Sequence, residues 1–185
     1  MGYQNICVSS TDLGAGPAFL KKLDYSGSLF LSANVLDESG KAIFEPGRLY
    51  TVKGIKIGVI ALTDRSPTTT LSKGESTIVA DTISSLQKIW NATKKNADLI
   101  ILLTSLDQRS IKRLVKKFPD IDLVISSGLG IPTYSPFKAD KTLIVSTHPK
   151  GKSVGLIALK IKKGIIYKYD NRLVMLKESL LEMNY

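Results

Sequence analysis

The sequence predicts an α/β fold, a sandwich of mixed β-sheets flanked by helices, and two patterns lead to it. Two short, continuously apolar runs at 99–103 and 121–125 enclose a basic amphipathic segment. Such runs are typical of parallel strands that are buried on both faces and joined by a helix. After Gly130 the chain becomes β-like, and Lys163-Gly164 is typical of a tight hairpin turn.

The first half of the chain supplies short strands, one short helix and a hairpin. Pro17 suits the first turn of a helix, and Lys53-Gly54 suits a tight turn between two apolar runs. The predicted elements are a strand at 5–9, a helix at 17–23, a strand at 28–34, a turn at 37–41 and hairpin strands at 49–52 and 55–62.

Two amphipathic helices are predicted next, at 78–95 and 108–118. In the first, apolar residues recur at helical spacing and Trp90 lies on the apolar stripe, so we interpret Trp90 as a core residue. The second ends before Pro119 and has a basic outer face, which we interpret as solvated surface rather than as a phosphate site. The basic residues are Lys112, Arg113, Lys116 and Lys117.

The last part of the chain is predicted to form strands at 142–147, 154–162 and 165–169. We expect them to be antiparallel because their connections are short. Residues 1–176 then form one domain, and 177–185 form a terminal helix or a linker. Because the chain enters a strand within a few residues of Met1, we expect this domain to be incomplete, truncated at its N-terminus.

Composition narrows the classes of function. The net charge is +10 with a pI near 9.6, but the basic residues are spread over many segments and aromatics make up 7%, so we expect no nucleic-acid partner. No run is long enough for a membrane helix, and no signal-peptide pattern is present. Cys7 is the single cysteine, and its apolar neighbours predict a buried, inert thiol.

The candidate site lies in the loops that follow the predicted strands. Open α/β sheets bind ligands outside the carboxyl ends of their strands. Hydroxyls and carboxylates gathered there form a polar cleft suited to ordered water or a small polar ligand, and backbone amides at 128–130 can accept an anion. The candidate residues are Ser10, Thr11, Asp12, Asp64, Ser105, Asp107, Ser126, Ser127, Gly128 and Gly130.

Several segments, taken in order, resemble one known domain. The run Phe30-Leu31-Ser32-Ala33-Asn34-Val35, the block beginning at Ile43-Phe44-Glu45-Pro46 and the segment 52–63 are similar to blocks of the 5′-nucleotidase family. The resemblance is to its N-terminal metallophosphoesterase domain, which is calcineurin-like in fold. It covers nearly all of the chain.

Active members of that family bind two metal ions through Asp, Asn and His side chains. The resemblance places the ligand asparagine at Ser10, the catalytic histidine at Thr11 and a metal-binding histidine at Ser105. Two further histidines fall on Gly128 and Gly130. The single histidine of the chain, His148, falls in a loop that varies in the family, so we expect no metal and no other cofactor.

The hypothesis that we prefer is a metal-free remnant that acts as a binding or scaffolding module, not as an enzyme. The resemblance implies other domains of a longer parent chain, a multihaem cytochrome among them, and a periplasmic or secreted location. The chain itself lacks Cys-x-x-Cys-His and so binds no c-type haem. We also expect a homodimer through an exposed sheet edge.

The alternative is a phosphoester hydrolase with a rebuilt or partly missing active site. Asp12, Asp64 and Asp107 all follow predicted strands, and three carboxylates on one rim can hold Mg²⁺ weakly through water. Against this, aspartate in such loops commonly caps helices or forms turns. Both interpretations of the three aspartates stay open at this point.

Overall fold

A six-stranded mixed sheet forms the middle layer of the structure, a computed structural model described over residues 3–24, 29–65, 77–162 and 164–176. The predicted helix or linker at 177–185 lies outside these ranges. The α-helices are α1 (Pro17–Leu23), α2 (Thr82–Asn96) and α3 (Gln108–Lys117). The strands are β1 (Ile6–Cys7), β2 (Phe30–Leu31), β3 (Val35–Leu36), β4 (Gly47–Val52), β5 (Ile55–Leu62), β6 (Ile78–Val79), β7 (Leu99–Thr104), β8 (Leu123–Ser126), β9 (Phe137–Ala139), β10 (Thr142–Val145), β11 (Ser153–Lys162) and β12 (Ile165–Met175).

The middle sheet has the strand order β4-β5-β7-β8-β10-β9. Strands β5, β7, β8 and β10 are parallel, and β4 and β9 pair antiparallel at the two edges. The prediction of a mixed sheet in which the strands of the two apolar runs are adjacent and parallel is therefore confirmed. The carboxyl ends of the four parallel strands meet at one edge, which we call the rim.

The first two strands do not join this sheet. β1 pairs in parallel with β2 in a separate two-stranded ladder. Both edges of β5 are already occupied, by β4 and β7, so the earlier strands meet β5 on its face and not at its edge. Leu31 of β2 accordingly lies against Val59 and Ala61 of β5.

The prediction that the strand at 142–147 is antiparallel to its neighbours is half wrong. β10 is parallel to β8 and antiparallel to β9, a strand that the sequence analysis did not predict. The connection from Ser126 to Thr142 is long enough for a crossover, and Asp140, with φ +52°, makes the tight turn between β9 and β10. The hairpin of β11 and β12 is antiparallel, as predicted.

The long helix starts later than predicted. Residues 78–79 form β6, which pairs antiparallel with β3, and α2 begins at Thr82. The side chain of Asp81 accepts a hydrogen bond from the Ser84 amide at 2.8 Å, so it caps the helix and fixes its start. α3 and α1 lie within one residue of their predicted positions.

Both long helices cover one face of the middle sheet. Trp90 of α2 packs edge-on against Phe118 with ring centroids 4.9 Å apart, which confirms Trp90 as a core residue. The other face carries the β1–β2 ladder over β5 and β7, and the β11–β12 hairpin over β8 and β10. Within the described residues, no helix combines the length and the apolar character needed to cross a membrane.

Candidate functional site

Three chain segments meet at the rim through one carboxylate. Asp64 follows β5, Ser10 follows β1 and Ser105 follows β7. Ser10 donates to Asp64 from its amide at 3.0 Å and from its hydroxyl at 2.6 Å, while the Ser105 hydroxyl donates to the same carboxylate. The Asp64 amide in turn donates to the Ser105 hydroxyl oxygen at 3.0 Å. We call this set the Asp64 cluster.

These hydrogen bonds decide the charge of Asp64. Partial burial on its own raises the pKa of this carboxyl, but the hydrogen bonds from Ser10 and Ser105 outweigh burial and hold the pKa below the ordinary 3.8. Asp64 is therefore an anion at neutral pH. Each of its two oxygens already accepts at least one hydrogen bond from the protein.

A buried polar network beneath the rim was missed by the sequence analysis. The side chain of Asn34 donates to the Thr63 carbonyl at 2.9 Å and accepts from the Thr63 amide at 2.8 Å. The Thr63 hydroxyl donates to the Val8 carbonyl at 2.6 Å, and Ser32 lies 2.8 Å from that hydroxyl. The network ties the loop after β1 to β2 and β5. The sequence feature that could have revealed this network is the presence of polar residues within the apolar run at 29–36.

The other two candidate carboxylates serve local roles. Asp12 accepts from the amide and hydroxyl of Ser9, at 2.8 and 2.6 Å. Asp107 is the N-cap of α3 and accepts from the Ser110 amide at 2.8 Å. The three aspartates therefore do not gather around one point, and the capping interpretation holds for Asp107.

The loop after β8 lies tightly against the loop after β7. The Ser126 hydroxyl donates to the Leu106 carbonyl at 2.8 Å, and the Gly128 amide donates to Ser126 at 3.0 Å. A Cβ on Gly128 would lie 1.9 Å from the Ser105 carbonyl oxygen, so only glycine fits. Because its amide is already used, Gly128 has no donor to offer the anion that we expected at 128–130.

The structure thus separates the candidate residues into two groups. Ser10, Asp64, Ser105 and Gly128 come together at the centre of the rim. Of the other hydroxyls and glycine, Ser126 is buried beneath the loop after β7, and Thr11, Ser127 and Gly130 are exposed.

A groove of about 390 Å³ opens beside the Asp64 cluster, between the starts of α2 and α3. Two cations line it that the sequence analysis did not assign to the site, Arg65 and Arg113. Arg113 could have been found only from the fold, because its sequence signal was that of a solvated helix face. The other lining residues include Asp81, Thr82, Asp107 and Ser110.

The rim does not fit the metal centre that the resemblance implies. A two-metal hydrolytic site needs several carboxylates and neutral imidazoles around ions about 3.5–4 Å apart. Here the centre of the rim offers Asp64, whose oxygens are engaged, and hydroxyls and a glycine in place of imidazoles. In the part of the chain that the structure describes, no three His, Cys, Asp or Glu side chains are grouped to share an ion.

Two other side chains of reactive type, those of His148 and Cys7, lie outside the Asp64 cluster. The Nδ1 atom of His148 is 3.0 Å from the Ser153 hydroxyl, and its Nε2 atom is 3.3 Å from the Tyr134 hydroxyl. Burial raises the pKa of the Cys7 thiol to about 12, and this thiol lies 3.5 Å from the Leu62 carbonyl. Cys7 is partly buried, and a thiol with a raised pKa is a poor nucleophile at neutral pH, as the prediction of an inert Cys7 requires.

Comparison with solved structures identifies the fold. The sulfate thiohydrolase SoxB of Thermus thermophilus, in complex with glycerol, matches with a TM-score of 0.80 at 24% identity over 94% of this chain. A 5′-nucleotidase precursor from the same organism matches with a TM-score of 0.74 at 21% identity. The NAD nucleotidase NadN of Haemophilus influenzae matches with a TM-score of 0.72 at 23% identity. The last two also cover 94% of this chain.

These likenesses concern part of each neighbour. The chain spans 33% of the SoxB structure, 39% of the 5′-nucleotidase precursor and 40% of NadN. No protein-family model matches the chain, and no curated protein matches it either. At these identities the comparisons show a shared fold.

Proposed function

We propose that the chain, whose fold is that of the metallophosphoesterase domain of 5′-nucleotidases, is a metal-free binding or scaffolding module of a larger protein. The larger protein is suggested by the neighbours, of which this chain spans 33% to 40%. The periplasmic or secreted setting implied by the resemblance belongs to the same proposal. So does a homodimer through an exposed edge of the middle sheet, where β4 and β9 are the outer strands.

The Asp64 cluster carries this proposal. A carboxylate that binds a metal ion must direct a free lone pair at it. Here one oxygen of Asp64 accepts from the Ser10 hydroxyl at 2.6 Å, and the other accepts from the Ser10 amide and from Ser105. These three hydrogen bonds take up most of the about four lone-pair sites of the carboxylate, so little of it is left for a cation.

The remaining rim residues support the same conclusion by their chemistry. Serine, threonine and glycine at positions 10, 11, 105, 128 and 130 cannot replace imidazole as tight ligands at neutral pH. Without bound metal there is neither a metal-activated hydroxide nor a Lewis acid on the phosphoryl oxygens. Thr11 also cannot act as a cationic acid toward a leaving group.

The test combines metal analysis and phosphatase assay on one preparation of the purified chain. We expect substoichiometric Zn²⁺ and Mn²⁺ after dialysis, and no hydrolysis of nucleoside monophosphates or bis-nitrophenyl phosphate above background. The matched variants are Asp64→Asn and Asp37→Asn. Asp37 is also a carboxylate that accepts from a serine, Ser39, but it lies in an exposed turn.

Stoichiometric metal in the purified chain would overturn the proposal. So would turnover that Asp64→Asn abolishes and Asp37→Asn preserves, because such a result would assign phosphoester hydrolysis to the rim.

A further inference from the structure

The outer surface of the helical layer has an unusual charge pattern. Neither α2 nor α3 contains an acidic residue. Together they carry eight basic side chains, and all eight are exposed. They are Lys88, Lys94, Lys95, Arg109, Lys112, Arg113, Lys116 and Lys117.

Few anions of the protein neutralise this surface. Among the described residues, one ion pair within 4 Å reaches it, from Lys94 to Asp120. The nearest aspartates in sequence, Asp81 and Asp107, are used as the N-caps of the two helices. Apart from Lys94 and from Arg113, which lines the groove beside three aspartates, the basic side chains of the two helices are left for solvent or for a partner.

The charges on α3 also repel one another. Residues three and four apart on a helix are neighbours, and like charges at these spacings destabilise it. Arg109 faces Lys112 and Arg113, and Lys112 faces Lys116, with no glutamate between them. A surface shaped for stability alone would intersperse both signs of charge. The loss of stability that this repulsion causes has a functional explanation if the helix binds a partner of opposite charge.

The chemistry of the surface also limits the kind of partner. The apolar stripes of both helices are buried in the core, and neither helix has a large apolar side chain exposed. The surface therefore has no apolar side chain to insert into a lipid bilayer. It also lacks an aromatic side chain on which a base can stack, since Trp90 is buried. The surface can therefore bind a partner through complementary charge.

We propose that the outer face of α2 and α3 docks an acidic segment of a partner protein. The docking face lies on the helix side of the middle sheet. The proposal concerns charge on two helices and does not depend on whether the rim binds metal.

Binding of a fluorescent glutamate-rich peptide, measured by anisotropy at physiological salt, tests the proposal. The helix variant is Lys112→Glu with Lys116→Glu. The control variant is Lys160→Glu with Lys162→Glu, which makes the same change in net charge on the exposed face of β11. We expect the helix variant to lose about tenfold or more in affinity, and the control to change by less than about threefold.

Thermal melting separates loss of binding from loss of fold. The helix variant turns the repulsion of Arg109 with residue 112 and of Arg113 with residue 116 into attraction, while residues 112 and 116 still carry like charges. We therefore expect its Tm to stay level or to rise by about 2 °C while its binding falls. Equal losses of peptide affinity in the two variants would overturn the proposal, because net charge alone would then explain binding. Tighter binding of duplex DNA or of anionic lipid vesicles than of the peptide would also overturn it.

Discussion

The two faces of the middle sheet are closed in different ways. On the helix side, α2 and α3 join β5, β7, β8 and β10 in one continuous buried cluster. On the other side, the β1–β2 ladder and the β11–β12 hairpin each form a smaller cluster with the sheet, and a separate cluster joins Phe30 of β2 to Leu20 of α1. Ile125 points to this second face from the middle of the sheet, yet it is 36% exposed.

The two faces differ because the segments that cover them lie at different distances along the chain from the strands of the sheet. α2 directly precedes β7 in the chain, and α3 connects β7 to β8, so their contacts with the sheet are local in sequence. The second face is covered by segments from the beginning and the end of the chain, and these two covers are not hydrogen-bonded to one another. We infer that the helix side carries most of the stability of the fold and that the other side tolerates change.

The largest expected effect comes from neighbouring leucines that point to opposite faces. Leu102 is fully buried on the helix side, whereas Leu103 is half-buried against the small cluster on the other side. We expect Leu102→Ala to lower the free energy of unfolding by about 3–5 kcal/mol and Leu103→Ala by about 1–2 kcal/mol. Urea denaturation of both variants measures the difference. Equal losses would show that the two faces are equally well packed.

A smaller effect is expected where the second face is attached to the sheet. Ser10 follows β1, so its bonds to Asp64 tie the β1–β2 ladder to the rim. Asp64→Asn should cost about 1–2 kcal/mol at pH 7, because a neutral amide accepts hydrogen bonds more weakly than a carboxylate. Hydrogen exchange should then show lower protection factors in β1 and β2, with α2 and α3 unchanged.

The pH dependence of this attachment follows from the pKa of Asp64. Because that pKa lies below the ordinary 3.8 in the fold, the carboxylate stabilises the protein above about pH 4. The contribution is lost as the pH falls through the folded-state pKa, so the wild type and Asp64→Asn should converge in stability once the pH lies below that pKa. Asp122 is the control of opposite sign, since burial raises its pKa. A constant difference at all pH values would exclude this role for Asp64.

The smallest expected effect concerns Ile125. It pairs with Leu103 and Val145 in the sheet, but its side chain is partly in solvent. We expect Ile125→Thr to change the free energy of unfolding by less than about 0.5 kcal/mol. Val124→Thr, on the buried helix side, should cost at least about 1–2 kcal/mol. If both variants lost the same amount, Ile125 would have to be covered in solution.

Local pattern was enough to predict the helix side of the fold. The apolar runs predicted β7 and β8, and helical spacing predicted α3 and the buried Trp90. Lys53 and Gly54 adopt the positive φ values, 49° and 80°, of the tight turn that the sequence indicated. All of these signals lie within a few residues of the structure that they specify.

The parts that sequence did not predict depend on distant partners. Nothing near Ile6 tells which edge or face of the sheet its strand will meet, and the Asp64 cluster joins residues that are 54 and 41 positions apart. Aspartates at strand ends fit both a cap and a ligand site, and only the contact of Asp107 with Ser110 distinguishes the two. The sequence therefore indicated which loops form the candidate site, but not the hydrogen bonds within it.

The close fit of Gly128 also limits which substitutions the chain can accept. The resemblance places an imidazole at this position, but any side chain there would strike the Ser105 carbonyl at 1.9 Å. A histidine at 128 would have to displace the loop after β7, and with it the Ser105 hydroxyl that donates to Asp64. A metal ligand at this position therefore requires further changes in that loop at the same time.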